Sequence, residues 1–409
     1  MISMSNLMLS RFTTLKMADR IFALTFFIIS GLIICYAILS ISHNFTDKNP
    51  IRVASDGLHH FQSSALPSKS PSSTIEAIYQ FGDSISDTGN YIRENPNSRF
   101  AKLPYGQTFF HKPTGRCSNG LLMIDYFTKF LNLPFLDPYL NKDGNFSHGV
   151  NFAVAGATAL NTSILVTKHI VSNSTNSSLL VQLDWFKSHL NSICSDPSVC
   201  KQKLAKALIM MGEIGGNDYN RAFSQGKPII EIYKTVPEVV QIIKYAIKEV
   251  INLGATRIVV PGNFPIGCMT IYLKMFKTDS SRLYDELQCL KSLNKFAKFH
   301  NSKLQEVIGE LQSEYQDVSI VYADYFLAMK EILKHATSLG FDKDTMETPC
   351  CGTNEDDKPN KDSHIVCGRK GVVVCEDSNK HVNWDSVHLT QHAYHIMAKL
   401  LIKRINIWD

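Results

Sequence analysis

Between residues 76 and 405 the chain alternates between short apolar stretches with strand propensity and longer stretches with helical periodicity. This alternation is typical of a parallel β-sheet that is covered by helices on both faces. The predicted strands span residues 78–81, 207–211, 257–260 and 318–323. The predicted helices span residues 229–253, 283–311 and 390–405, and Gly254 ends the first of them. The pattern therefore predicts an α/β fold with a parallel central sheet.

A run of small polar residues follows the first predicted strand, from Phe81 to Asn90. Ser84 stands where that strand ends, and ligands of open α/β sheets bind at such strand ends. Gly82 allows the backbone to bend there. Ser84 is therefore a candidate nucleophile if a base and an oxyanion site lie elsewhere in the chain. The same residue types also form ordinary turns, and the stretch alone does not decide between the two interpretations.

Two more strand-like stretches end in small residues that are suited to stabilising an oxyanion. Gly156 closes an apolar run and can present its backbone N–H without a side chain in the way. Asn217 follows Gly215 and Gly216 and can offer a side-chain N–H. Taken singly, each is also explained as a turn residue. With the N–H of Ser84 they complete a predicted oxyanion hole.

A base and its orienting partner are predicted near the C-terminus. Asp385 and His388 are three residues apart, a spacing that brings both side chains to the same side of a helical turn or tight loop. A carboxylate beside an imidazole fixes its tautomer and stabilises the imidazolium that forms when the ring accepts a proton. The order Ser84, Asp385, His388 occurs in serine hydrolases, although the Gly-x-Ser-x-Gly elbow is absent. The combination predicts acyl transfer through an acyl-enzyme.

Four separated blocks carry a resemblance to a known family. They are Phe81–Asn90, Gly149–Thr158, Gly212–Asn217 and Trp384–Thr390. In this order they resemble the plant GDSL-type esterases/lipases of the SGNH hydrolase family. The resemblance implies a flavodoxin-like three-layer α/β/α domain. It also implies the roles given above to Ser84, Gly156, Asn217, Asp385 and His388.

The resemblance further implies a small-molecule ester as substrate, and we expect no cofactor and no metal. The runs Asn151–Leu160 and Tyr322–Tyr325 are similar to those of members that remove an acetyl group from an alkaloid, which suggests a short acyl ester of a specialised metabolite. Ile85, Ala155 and Cys117 depart from the usual family residues, at positions where no catalytic atom is proposed. Substrate choice in such a family lies in variable loops.

Three alternatives differ in chemistry. An acyltransferase would use the same acyl-enzyme with an alcohol as acceptor. A metallophosphoesterase would use Asp83 and Asp87 as metal ligands, but three residues separate them where that motif has two. A non-catalytic binding protein would not need the full catalytic set that this chain retains.

The N-terminal segment predicts entry into the secretory pathway. Residues 21–42 form an uncharged, mostly apolar run behind Arg11, Lys16 and Arg20. Its length suits a signal anchor, since a span needs about 20 residues, and small residues near its end leave a cleaved signal peptide open. We therefore divide the chain into a cytoplasmic tail with an anchor or signal peptide (1–42), a flexible Ser/Pro-rich stalk (43–75) and an esterase domain (76–409).

The cysteines and glycosylation motifs agree with an oxidising compartment. Cys194 with Cys200 and Cys268 with Cys289 are the expected disulfides, and Cys117 is the expected free thiol. The last four cysteines are expected to staple the loop between residues 350 and 375, with connectivity open and zinc as an alternative. Acceptor motifs for N-glycosylation stand at Asn44, Asn145, Asn161, Asn173 and Asn176.

The charge balance argues against one class of partner. The net charge is +5, without a cluster of Lys and Arg, so nucleic-acid binding has little support. We expect a monomer that contacts a membrane only through its N-terminal segment. It would be extracellular, vacuolar, or anchored with a luminal catalytic domain.

Overall fold

The computed structural model describes residues 75–171, 174–345, 347–352 and 366–405. Five parallel strands form one sheet in the order β2-β1-β3-β4-β5. The strands are β1 (Ala77–Phe81), β2 (Gly149–Asn151), β3 (Ala207–Met211), β4 (Arg257–Pro261) and β5 (Ser319–Ala323). This is the flavodoxin-like order, which confirms the predicted fold class.

Helices cover the sheet on both faces and complete a three-layer α/β/α arrangement. They are α1 (Asn90–Glu94), α2 (Met123–Phe130), α3 (Thr162–Thr167), α4 (Leu179–Ile193), α5 (Pro197–Ala205), α6 (Gly216–Ser224), α7 (Ile229–Leu253), α8 (Thr270–Met275), α9 (Lys291–Glu314), α10 (Tyr325–Lys334) and α11 (Gln391–Arg404). In one layer α7 packs against α4, α5, α6 and α9. In the other, α11 packs against α2 and α10.

Alternation along the strands divides the buried side chains between the two faces. In β1, Tyr79 and Phe81 join the large core cluster with α4, α7 and α9, whereas Ile78 and Gln80 are buried outside it. Successive strand residues point to opposite faces, and here both faces are covered. Because both faces are buried, the strands appear in the sequence as nearly continuous apolar runs.

The sheet order places Ser84 at a topological switch point, where consecutive strands are added on opposite sides of β1. From β1 the chain passes to β2 on one side, and β3 then pairs with the other side of β1. Such switch points open a crevice at the carboxyl ends of the strands. Ser84 follows β1 directly, Gly156 follows β2, and Asn217 follows β3.

The helix predictions were confirmed for two helices and wrong at both ends of a third, which was predicted over residues 283–311 and spans Lys291–Glu314. Helix α7 has the predicted ends, with Gly254 in the left-handed conformation after it, and α11 begins after Thr390, whose hydroxyl accepts from the N–H of Ala393. The helix predicted from residue 283 begins only at Lys291. Before it, Asp285 accepts from the N–H of Cys289 in a turn that the disulfide to Cys268 holds in place.

The predicted cysteine chemistry agrees with the structure. Disulfides join Cys194 to Cys200 and Cys268 to Cys289, and Cys117 is free and buried. The open connectivity resolves as Cys350–Cys375 and Cys351–Cys367. The zinc alternative is wrong, because all four sulfur atoms are engaged in disulfides.

Several predictions fall outside the described residues: the cytoplasmic tail with its apolar segment (1–42), the stalk up to residue 74, and the glycosylation motifs at Asn44 and Asn173. Within the described ranges, no helix combines the length and the apolar character that crossing a bilayer requires.

Candidate active site

The structure brings Ser84, His388 and Asp385 into one hydrogen-bonded chain. Nε2 of His388 lies 2.8 Å from Oγ of Ser84. Nδ1 of His388 lies 3.0 Å and 2.9 Å from the two carboxylate oxygens of Asp385. Because the ionised Asp385 can only accept, Nδ1 carries the ring proton and the lone pair of Nε2 faces the serine hydroxyl. In this tautomer the imidazole is arranged to accept the proton of Ser84.

Asp385 is buried and still held in its charged form. Burial alone opposes ionisation, but the facing His388, the guanidinium of Arg99 and the hydroxyl of Tyr105 together hold the pKa of Asp385 well below its usual range. The Tyr105 hydroxyl donates to Oδ2 of Asp385 at 2.7 Å, and the N–H groups of Val387 and His388 donate to Oδ1, each at 2.8 Å. Asp385 is thus fixed both in charge and in orientation.

Two of the three predicted oxyanion donors are free in the structure. Within the described residues, the backbone N–H groups of Ser84 and Gly156 have no hydrogen-bond acceptor, and both residues line the same cavity. The Asn217 amide also lines this cavity, but it donates to Oδ2 of Asp83 at 2.8 Å and to the carbonyl of Ala157 at 3.0 Å. An oxyanion would therefore accept from the free N–H groups of Ser84 and Gly156. For the Asn217 amide it would compete with Asp83 and the carbonyl of Ala157.

Gly156 is required at its position by backbone conformation and by space. Its φ of +83° lies in the left-handed region, and an added Cβ would come within 2.8 Å of Cβ of Ser174. The Arg221 guanidinium donates to the carbonyl of Gly156 from the side of the cavity. The backbone conformation and the Arg221 contact thus hold the main chain at Gly156 on the side of the cavity.

Gln182 was missed by the sequence reasoning. Its side chain accepts from the N–H of Gly82 at 2.9 Å and donates to the carbonyl of Gly82 at 2.8 Å. This paired contact holds the turn that presents Ser84. It joins positions 100 residues apart, so no local sequence pattern marks it. Tyr105 was missed for the same reason, since 280 residues separate it from Asp385.

Asp87 has a structural role in holding backbone N–H groups. Its carboxylate accepts from the N–H groups of Gly89, Asn90 and Tyr91 and, across the sheet edge, from that of Ala155. The turn interpretation of this residue was therefore correct. A carboxylate engaged by four N–H groups is poorly placed to ligate a metal as the phosphoesterase alternative required. In the described part of the chain, no group of three His, Cys, Asp or Glu side chains is placed to hold a metal ion.

A pair of buried acids lies behind the oxyanion donors. Burial raises the pKa of Glu213 well above 4.5, and the neighbouring Asp83 raises it further. Burial likewise raises the pKa of Asp83, and its contact with the N–H of Ile85 only partly offsets this. Oε1 of Glu213 has no hydrogen-bond partner in the described structure. At neutral pH we therefore expect the pair to hold at least one proton.

Ser84 and His388 open onto a cavity of about 1130 Å³. This volume is slightly above the usual range for small-molecule sites, which is about 300–1,000 Å³. The lining combines apolar side chains of the α8 region, among them Met269, Ile271 and Met275, with polar and basic ones. A substrate of moderate size with an apolar part fits such a lining.

The predicted glycosylation sites differ in exposure. Asn145 and Asn176 are exposed, whereas Asn161 is half-buried and its side chain accepts from the hydroxyl of Ser178. Attachment at any of them stays a prediction.

Comparison with known proteins agrees with this geometry. Residues 78–401 match the family model of the GDSL-like Lipase/Acylhydrolase. The chain is 42% identical over 335 residues to Acetylajmalan esterase 1 of Rauvolfia serpentina, covering 81% of this chain and 87% of that one. Two proteins of Arabidopsis thaliana named GDSL esterase/lipase are 43% and 44% identical, covering 81% and 80% of this chain and 85% and 86% of theirs. The chain thus belongs to the GDSL-like lipase/acylhydrolase family and is a carboxylic ester hydrolase.

Proposed function

We propose that the chain cleaves its ester through an acyl-enzyme on Ser84. The Oγ of Ser84 attacks the ester carbonyl carbon while Nε2 of His388 accepts the hydroxyl proton. The negative charge moves to the carbonyl oxygen, where the N–H groups of Ser84 and Gly156 and the Asn217 amide stabilise it. Asp385 stays ionised, holds the Nδ1 proton and stabilises the imidazolium.

Collapse of this intermediate breaks the bond to the alcohol oxygen, and Nε2 of His388 returns the proton to that oxygen as the alcohol leaves. Water then attacks the acyl group on Ser84 while His388 accepts a proton from it. The second intermediate breaks the bond to Oγ, the proton returns to Ser84, and a carboxylic acid is released. The observation that supports this proposal most is the 2.8 Å contact between His388 and Ser84.

We further propose an acetyl or other short acyl ester of a plant specialised metabolite as substrate, with an alkaloid as one candidate. Support comes from two relatives in Rauvolfia serpentina that are named as acetylajmalan esterases, each 42% identical to this chain. The acyltransferase alternative is not favoured, because the similar proteins carry the names of esterases.

The test is Ser84→Ala in the full chain. We expect hydrolysis of a short-chain p-nitrophenyl ester to be lost while the circular dichroism spectrum stays that of the parent. A fluorophosphonate should label the parent and not the variant, because only an activated serine reacts. Ser86→Ala, two residues away, is the matched control and should keep both activity and labelling. Parental activity in Ser84→Ala would refute the assignment.

The compartment and the division of the chain are part of the proposal. Four disulfides among the described residues support an oxidising compartment, in keeping with secretion or luminal exposure. We propose residues 76–409 as the esterase domain, active as a monomer, and Asn145 and Asn176 as the better placed glycan acceptors. Mass spectrometry of the protein from plant cells, before and after glycosidase treatment, tests the glycan sites and any cleavage near residue 42.

A further inference from the structure

The cavity above Ser84 has an unbalanced positive lining. Basic side chains line it at five positions, and no aspartate or glutamate lines it among the described residues. The five are Arg99, Lys102, Arg221, Arg369 and Lys370. The whole chain, in contrast, holds 42 Lys and Arg against 37 Asp and Glu. Positive charge is therefore concentrated in this cavity.

Most of this charge is not neutralised by ion pairs. Lysines elsewhere on the surface do pair, as Lys168 does with Glu238 at 2.5 Å. In the described structure, Lys102, Arg369 and Lys370 form no ion pair. The guanidinium of Arg99 stacks over the ring of Phe100 at 4.8 Å, and the buried charge of Asp385 offsets its charge in part. Unpaired charges around a concave surface focus the field inside it and raise the local concentration of ligands of opposite sign.

Four of the five basic side chains lie on one wall near His388, whereas Arg221 lies on α6 beside Gly156. Gly368 packs so closely on Arg99 that an added Cβ would lie 2.7 Å from the Arg99 carbonyl oxygen. The segments 99–102 and 366–370 are therefore adjacent. The ring of Phe100, beneath Arg99, meets the imidazole of His388 edge to face at 5.8 Å. The wall thus stands on the side of the site where His388 returns a proton.

That side receives the alcohol part of the ester, because His388 protonates the departing alcohol oxygen. Granted the proposed hydrolysis at Ser84, we infer that the preferred substrates are esters whose alcohol part carries an anionic group, such as a carboxylate. The apolar side chains of Met269, Ile271 and Met275 would contact the body of the same alcohol. A protonated amine in that position, as in a basic alkaloid, would be repelled, which narrows the substrates proposed above and argues against the alkaloid candidate.

The test compares three acetate esters that share one aryl-ethyl frame and differ only in its terminal group, and hence in charge. They are the acetates of 3-(4-hydroxyphenyl)propanoate, of its primary amide and of tyramine, which are anionic, neutral and cationic. We expect kcat/KM to fall in that order, with roughly a three- to tenfold advantage of the anion over the amide, since a single exposed ion pair contributes little and more than one basic side chain lines this wall. The advantage should shrink as salt is added.

The variant Arg369→Gln/Lys370→Gln tests the origin of the advantage. Its ratio of kcat/KM between the anionic and the neutral ester should fall toward one. Arg369→Glu/Lys370→Glu leaves Arg99, Lys102 and Arg221 in place and should abolish the advantage of the anionic ester. Lys142→Gln/Lys234→Gln removes the same charge from exposed positions that do not line the cavity, and it should leave the parental ratio unchanged.

The outcomes separate this inference from the function on which it rests. If the neutral ester is cleaved and Ser84 is labelled by a fluorophosphonate, but the anion has no advantage, the inference is overturned and the esterase proposal stands. An advantage that survives in Arg369→Glu/Lys370→Glu overturns it as well. If no ester is cleaved and Ser84 is not labelled, both fail.

Discussion

Tyr105 is the side chain whose contribution to the site can be tested most directly. Its ring is fully buried, and its hydroxyl donates to a carboxylate that is held in the charged form. Hydrogen bonds to charged acceptors contribute more than those between neutral groups, about 1.5–3 kcal/mol. The same contact holds Asp385 facing Nδ1 of His388, so under the proposed mechanism it bears on catalysis as well as on stability.

We predict that Tyr105→Phe lowers kcat roughly tenfold, with little change in KM. A tenfold effect corresponds to a loss of about 1.4 kcal/mol of transition-state stabilisation. The variant should also unfold at lower urea concentration. Tyr126→Phe is the matched control, because the hydroxyl of Tyr126 donates to a backbone carbonyl, that of Gln391, and does not line the cavity. Steady-state kinetics check the prediction, and a parental kcat in Tyr105→Phe would contradict it.

Whether a site residue could be predicted from the sequence depends on whether local or long-range contacts hold it in place. Ser84, Gly156 and Asn217 each follow a strand, so their short local patterns were enough to predict that they meet at one edge of the sheet. Gln182 and Tyr105 act across 100 and 280 positions, and nothing beside them in sequence signals the contact. The engagement of Asn217 by Asp83 and Ala157 also depends on distances that only coordinates supply.

At the scale of elements, strands and long helices were predictable and the segments between them less so. The run Ala207–Met211 was predicted with its observed ends, because a fully buried strand is apolar at every position. Residues 283–290 also look helical by periodicity. There the disulfide Cys268–Cys289 and the turn at Asp285 outweigh helix propensity, which is a weak preference that tertiary contacts override.

The two disulfides near the C-terminus act on the loop that carries Asp385 and His388. The N–H of Cys350 donates to the carbonyl of Asn383 at 2.9 Å, and that of Cys351 donates to the carbonyl of Trp384 at 2.7 Å. The cross-linked segment therefore lies directly against the residues that precede Asp385. Loosening it should disturb the alignment of the imidazole with Ser84.

We predict that Cys351→Ala/Cys367→Ala lowers both the free energy of unfolding, by about 3 kcal/mol, and kcat. Cys194→Ala/Cys200→Ala is the control, because that disulfide joins α4 to α5 and does not line the cavity. It should lose about 2 kcal/mol of stability and keep its kcat. Urea unfolding and kinetics at a temperature where both variants are folded check this. Equal effects on kcat would show that the loop does not depend on its cross-link.

At the scale of the whole molecule, the sheet order explains how remote segments form one site. The segments that follow β2, β1 and β3 are neighbours at the switch point, and they supply Gly156, Ser84 and, at the start of α6, Asn217 in that spatial order. The loop before α11 brings His388 over the same edge. Gathering polar groups there also buries charge, and the stability of the fold then depends on the protonation of the buried acids.

Glu213 makes this dependence measurable. Burial and the neighbouring Asp83 raise the pKa of Glu213 in the folded state, whereas in the unfolded chain its pKa is near 4.5. Above pH 4.5 the folded state therefore binds more protons than the unfolded state. The free energy of unfolding consequently falls as the pH rises. Each extra proton bound by the folded state lowers the free energy of unfolding by about 1.4 kcal/mol for every pH unit gained. We predict that Glu213→Gln declines less steeply than the parent between about pH 5 and pH 8 in urea unfolding. Exposed Glu376→Gln should keep the parental slope. A parental slope in Glu213→Gln would mean that Glu213 is charged in the folded protein.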